Sequence, residues 1–341
     1  MNKLIRCAAV AAALSVSVNG YALTFTFKDL NVVGNSISNA NAINNLNQIA
    51  GNQGVLAPNG NGTFNLQYRA AIWEDSNIQY APLTYSNSNE YSYGLDINDL
   101  GKVTVEHHSS NGKVQGYDWD INRNQVTKSP PEPIVGSDNF YTFSTNATGT
   151  LAGEVKYDTY AVAAITDVSG ITILGTLGGQ SSRSYDVSDS GFVVGWSELQ
   201  NGKDGSFIWD GDSMGKLQNL QGVAFTGVSD VNNLGQSVGF SFNQSERILH
   251  ATLWNGTKAI DLDDYLPQDL KDAGWVLTQA NGINDAGWIV GEVRNSITRE
   301  HHAYVLSTDS AISPIPEPTT WAMMLAGLAL LGFTKISRKK E

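Results

Sequence analysis

The sequence predicts an all-β fold, a repeat β-propeller of six blades closed by the N-terminal strand, with a hydrophobic helix at the C-terminus. Three observations predict it. A strand-turn-strand element recurs six times, a small-apolar strand that usually ends in tryptophan follows each copy, and the first apolar strand of the chain lacks a hairpin partner. Units of this length do not bury an apolar face alone, so they stack or close into a ring.

The first element is a hydrophobic residue, Asn or Ser, Asp or Asn, a free position and Gly, then a short strand. Its clear copies are Val187-Ser188-Asp189-Ser190-Gly191, Val231-Asn232-Asn233-Leu234-Gly235 and Ile283-Asn284-Asp285-Ala286-Gly287. Ile97-Asn98-Asp99-Leu100-Gly101 also fits, but its strand ends at Val105 where most copies end in Gly. Ile43-Asn44-Asn45-Leu46-Asn47 carries Asn for Gly, and Thr145-Asn146-Ala147-Thr148-Gly149 is degenerate. Asn and Asp side chains bond back to nearby amides, and Gly or Asn supplies the left-handed residue, so the element is a hairpin.

The second element ends in Trp73, Trp119, Trp209 and Trp254, and residues 161–164 and 303–306 are the copies without tryptophan. Four tryptophans at one repeat position are expected to pack between blades. Residues 51, 105, 153, 195, 239 and 291 close the successive hairpins, at spacings of 54, 48, 42, 44 and 52. An open β-solenoid or two tandem β domains would share this period. Ring closure is suggested by the last unit, which stops at Leu306-Ser307 without a closing strand, while residues 25–30 form a spare one.

The two ends read as sorting signals. Residues 1–22 have a basic start (Lys3, Arg6), an apolar core and a small-residue exit, a secretory signal peptide expected to be cut after Ala22. The only cysteine, Cys7, lies inside it, so the remaining body has neither disulfides nor thiol chemistry. At the other end Pro316-Glu317-Pro318 precedes an apolar run over 319–334 and the basic residues Lys335, Arg338, Lys339 and Lys340. Proline keeps that tripeptide extended, and the apolar run is just under the length that spans a bilayer. The expected organisation is a signal peptide at 1–22, a β-repeat domain at 23–308, a linker at 309–315 and a sorting segment at 316–341. Removing the two positive charges of the signal and the net two of residues 317–341 takes the formal charge from −12 to −16. So acidic a body argues against nucleic acid or anionic lipid as partner and leaves membrane contact to the C-terminal segment before processing.

The tail resembles the PEP-CTERM sorting domain, through Pro316-Glu317-Pro318, Trp321, the apolar run 323–333 and the basic end. The resemblance implies processing near that tripeptide by an exosortase-type membrane protease-transpeptidase. It also implies a Gram-negative producer of exopolysaccharide, with transient inner-membrane anchoring and final residence at the outer surface or in the extracellular matrix. The repeats resemble the HAF repeats of secreted bacterial proteins, through His250-Ala251-Thr252-Leu253-Trp254, His302-Ala303-Tyr304-Val305-Leu306 and Leu174-Gly175-Thr176-Leu177-Gly178-Gly179. HAF repeats imply location and fold more than activity.

Candidate chemistry is sparse. Asp261, Asp263 and Asp264, with Asp269 and Asp272 nearby, are the densest carboxylates and the candidate calcium ligands, although the ordered glycine-containing spacing of a dedicated loop is missing. Trp196, Trp275 and Trp288 fall outside the repeated tryptophan position and, with Tyr85, Tyr91 and Tyr93, could offer flat faces for sugar stacking. The pairs His107-His108 and His301-His302 each follow a glutamate, but strand neighbours point to opposite faces and rarely ligate one ion. No nucleophile elbow, metalloprotease helix or phosphate loop is present. The sequence therefore points to a non-enzymatic binding or scaffolding protein without cofactor, exopolysaccharide being its candidate ligand. A secreted polysaccharide hydrolase or lyase is the alternative.

Overall fold

The computed structural model describes residues 24–31, 37–59, 61–75, 77–129 and 140–308. These residues form six four-stranded antiparallel sheets, and the spare N-terminal strand completes the last one. The first blade contains Ser38–Ile43, Ile49–Pro58, Phe64–Glu74 and Asn77–Tyr80. The second contains Tyr91–Ile97, Lys102–His108, Val114–Asp120 and Gln125–Lys128. The third contains Phe140–Thr145, Leu151–Lys156, Ala161–Asp167 and Gly170–Gly175. Gly178–Val187, Val193–Leu199, Asp204–Trp209 and Met214–Lys216 make the fourth. The fifth is Val223–Val231, Gln236–Asn243, Ile248–Asn255 and Lys258–Asp261. The sixth joins Trp275–Ile283, Ile289–Asn295 and His301–Thr308 to Phe25–Asp29. Closure of this kind excludes both the solenoid and the tandem arrangement.

The closing strand runs antiparallel to His301–Thr308, from Phe25 opposite Thr308 to Asp29 opposite Tyr304. Its exit is fixed to both neighbours. Leu30 donates its amide to the Ala303 carbonyl, and the Trp73 indole of the first blade donates to the Leu30 carbonyl at 3.0 Å. First strands line the axis, and the turns between first and second strands all lie on one face of the disc, here the turn face. Both ends of the described chain meet there, where the Thr308 hydroxyl donates to the Ala286 carbonyl in the turn of the sixth blade.

Glycine at the end of each hairpin has a steric cause. A Cβ on Gly195 would lie 2.0 Å from the Arg183 carbonyl oxygen, because the first strand bulges between Ser184 and Asp186. The second blade solves the same problem differently. Val105 pairs with Gly94, whose missing Cβ would stand 2.9 Å from the Gly51 carbonyl of the first blade. The glycine has crossed to the partner strand.

The core lies between blades. One residue before each hairpin marker, Ala50, Ala152, Val194, Val238 and Val290 are fully buried against the next blade. Trp73, Trp119 and Trp254 are buried beside them, and Trp209 packs half-buried against the core between the third and fourth blades. Each of the buried valines contributes roughly 1.5–3 kcal/mol. The interface between the second and third blades breaks the rule. Its equivalent residue, Thr104, is exposed, and the local cluster of Phe140, Val155 and Ala164 is confined to the third blade.

Candidate functional site: the central channel

The turn at the foot of each first strand is built by its leading side chain. The Asn44 Oδ1 atom accepts from the Leu46 and Gln48 amides at 3.1 and 2.9 Å, and Asn98 and Asn232 repeat the arrangement. That leaves the amide nitrogen and the next residue free to reach the neighbouring blade. Asn45 donates from its backbone and side chain to both oxygens of Asp99, at 2.8 and 3.0 Å. Ala147 donates to Asp189, Ser190 to Asn233, Asn233 to Asp285, and Asp285 to Asn45. The rim is thereby stitched across five seams. Across the sixth, between the second and third blades, the equivalent turn position is held by Ala147, whose side chain has no acceptor.

Inside this rim lies a channel of about 980 Å³. Its two halves differ in chemistry at the position three residues before the turn. In the sixth and first blades Asn281 and Asn41 donate to the Ala40 and Gly94 carbonyls of the next blade, at 2.8 and 2.7 Å. In the second, third and fourth blades Leu95, Phe143 and Tyr185 stand exposed into the channel, and Tyr141 extends this wall. Two cations lie on these rings: Lys156 Nζ is 4.1 Å from the Tyr141 centroid, and the Arg183 guanidinium is 4.8 Å from that of Phe143. Glu154, only 2% exposed, holds Arg183 by two bonds of 2.7 and 3.3 Å, with Lys156 3.8 Å away.

Three aspartates occupy the position two residues before the turn. Asp186 accepts from the Ser144 hydroxyl of the third blade at 2.6 Å and from the Val231 amide of the fifth at 3.2 Å. Asp230 accepts from Val231 and, in the sixth blade, from Ile283, both at 2.7 Å. Asp96 accepts only from its own neighbour Ile97, at 2.7 Å. Burial, and then the facing Asp186 carboxylate, hold the Asp230 carboxyl well above the usual range; Asp96 is exposed to the channel, yet the protein crowding its carboxyl desolvates it and raises it as well. These channel groups were legible as a column. The triplet of Asp, a branched apolar residue, and Asn or Ser recurs at Asp96, Asp186 and Asp230, a repetition that sequence reasoning passed over.

The sequence candidates lie elsewhere. Trp275 and Trp288 flank opposite ends of one hairpin, the first at the start of its strand against His302 (centroids 4.7 Å apart), the second at the turn. Trp196 belongs to the fourth blade, so the three do not form one surface. Asp261 caps the 3₁₀ turn Leu262–Tyr265 by accepting from the Asp263 amide, and Asp263 accepts from Leu277. Asp264 is exposed. Among the described residues, no group of three or more His, Cys, Asp or Glu side chains is placed to hold a metal. The histidines pair with acids: His302 with Asp29 at 2.7 Å, His250 with Asp261 at 3.2 Å, and His108 with Glu106 at 2.7 Å. Ala22, Pro316, Glu317, Pro318 and the C-terminal helix lie outside the described residues, within which no helix is long and apolar enough to cross a membrane.

Solved structures similar to this chain at low identity include the following three. TolB from Acinetobacter baumannii is 12% identical over 77% of this chain, which spans 64% of TolB (TM-score 0.43). The β-propeller domain of the trilobed protease from Pyrococcus furiosus is 8% identical, covering 83% of this chain and 99% of that one (TM-score 0.41). A mutant of Aleuria aurantia lectin, in complex with Fucalpha1-6GlcNAc, is 12% identical over 83% of this chain and 97% of its own (TM-score 0.35). No curated protein matches the chain. The PEP-CTERM protein-sorting motif matches residues 314–339, two residues upstream of the segment expected from the sequence, and marks an exported substrate of exosortase-type processing. Across residues 11–312 the chain belongs to the family described as "Protein of unknown function (DUF3466)".

Proposed function

We propose that the propeller is a non-enzymatic binding or scaffolding module of the cell surface or extracellular matrix, with exopolysaccharide as its ligand. The channel wall carries this reading. Leu95, Tyr141, Phe143 and Tyr185 expose apolar area on one side, while Asn41 and Asn281 are spent on the opposite seams. A folded chain exposes several large apolar groups together where they meet a ligand. The likeness of His250-Ala251 and His302-Ala303 to HAF repeats supports an extracellular setting, as does the acidic body. Asp186 and Asp230 are engaged by backbone amides, which suits inter-blade stitching better than acid-base catalysis.

Incubation of the protein with the producer's exopolysaccharide tests this. Co-sedimentation with an unchanged polymer length is expected. New reducing or unsaturated ends would establish the hydrolase or lyase alternative instead.

A further inference from the structure

The channel beside the aromatic wall is acidic. Seven carboxyl groups line it against two cations, and both cations are already held at Glu154. The other six acids stand in two layers. Asp99, Asp189 and Asp285 occupy the turns of the second, fourth and sixth blades, so every other blade sets a carboxylate on the rim. Asp96, Asp186 and Asp230 form the inner layer. Among the described residues these acids are not grouped to hold one metal ion. A mouth lined by one sign of charge focuses its field and draws in the opposite charge.

One carboxylate of the inner layer lacks a donor. Asp186 and Asp230 accept through both oxygens, from the Ser144 hydroxyl and from the Val231 and Ile283 amides. Asp96 accepts through Oδ1 alone, from Ile97, and no described residue donates to its Oδ2. The protein nevertheless crowds this carboxyl, and Asp186 stands near enough to act on its charge. A crowded carboxylate oxygen without a donor is costly, and the N–H of a ligand answers it. The wall beside it accepts cations. Lys156 and Arg183 already lie on the Tyr141 and Phe143 rings. Tyr185 is exposed to the channel, and among the described residues no ring or cation lies on its face.

We infer that the channel binds amine-bearing sugar units, the protonated amine of a hexosamine chain meeting Asp96 and its pyranose face meeting Tyr185. This deepens the non-enzymatic binding role and rests on it. The ammonium group supplies charge-assisted hydrogen bonds to a carboxylate. The apolar face of the pyranose lies on an aromatic ring, while the phenol meets its hydroxyls. Charge sets the selectivity. An N-acetylated unit offers the same ring without the positive charge, and both acidic layers repel a uronic acid. A channel of about 980 Å³ is the size of a single small-molecule site, so it takes the end of a chain entering at the rim.

Titration calorimetry of the mature protein tests this with the hexamer of β-1,4-linked glucosamine, its N-acetylated counterpart chitohexaose, and hexalysine. The glucosamine hexamer should bind saturably, about tenfold or more tightly than the other two, and less tightly as salt is raised. Asp96→Asn keeps an acceptor for Ile97 but removes the charge, and should weaken binding about tenfold. Tyr185→Ala should weaken it about as much, and Tyr185→Phe by no more than about threefold. Asp212→Asn, in an outer turn of the fourth blade, should leave it unchanged. Melting curves establish that each variant is folded. Absence of binding, equal binding of chitohexaose, or an unchanged affinity in folded Asp96→Asn protein overturns the inference. Hexalysine binding as tightly as the sugar would overturn it in favour of a basic peptide. Co-sedimentation with the exopolysaccharide that persists while the glucosamine hexamer fails to bind would remove the amine and leave the binding role standing.

Discussion

Asp186 and Asp230 both accept the hydrogen of one amide, Val231 N–H, at 3.2 and 2.7 Å. Burial, and after it the facing Asp186 carboxylate, makes Asp230 keep its proton to higher pH than an isolated aspartate. The native state then binds more protons than the unfolded chain between the two values, and stability falls as pH rises through that window. Asp186→Asn removes the facing charge and should flatten the fall, gaining a few degrees of melting temperature at pH 8 but not at pH 4. Equal gains at both pH values would show that the Asp186 charge does not hold Asp230 protonated.

Ala147→Asp should supply the missing acceptor to the Asp99 amide and complete the rim. One added hydrogen bond contributes about 1 kcal/mol, or roughly 2–4 °C in a domain of this size. Thermal unfolding followed by circular dichroism reads it, and an unchanged midpoint would mean that the seam stays apart.

Arg183→Met would strand the buried Glu154 carboxylate, with only Lys156 at 3.8 Å to answer it. A loss of about 2–4 kcal/mol is expected. Adding Glu154→Gln should recover most of it, because the charge that needed a partner is then gone. Denaturant titration of the single and double variants checks the recovery.

Gly239→Ala forces a Cβ to 2.0 Å from the Gly227 carbonyl oxygen, backbone against backbone, and should cost at least about 3 kcal/mol. Gly211→Ala is the contrast. It meets nothing within 4 Å and strains only a turn with φ +98, so its cost stays near 1 kcal/mol. Reversal of that order would contradict the bulge geometry.

Much of the fold was legible because the hairpin turn is a local device. Asn44 or Asn232 bonding its own downstream amides needs nothing from the rest of the chain, so six copies could be counted from sequence. The spare strand at residues 25–30 was legible as a deficit in the last unit. What could not be read was the ring. Whether Asn45 meets Asp99, or Ala147 stands where an acceptor belongs, depends on which turns become neighbours around the axis. That the three candidate tryptophans are not brought together has the same cause. Trp275 and Trp288 are near in sequence but sit at opposite ends of one hairpin, whereas Leu95, Phe143 and Tyr185 converge across three blades.

The most direct measurement of the central claim is the melting temperature of residues 23–315 titrated with the producer's own exopolysaccharide, with polymer length followed in the same samples. Ligand that binds only the folded state raises the midpoint in a saturable way. A saturable rise with the polymer intact is the predicted result. No rise, or a rise accompanied by shortening of the polymer, would contradict a non-enzymatic binding role.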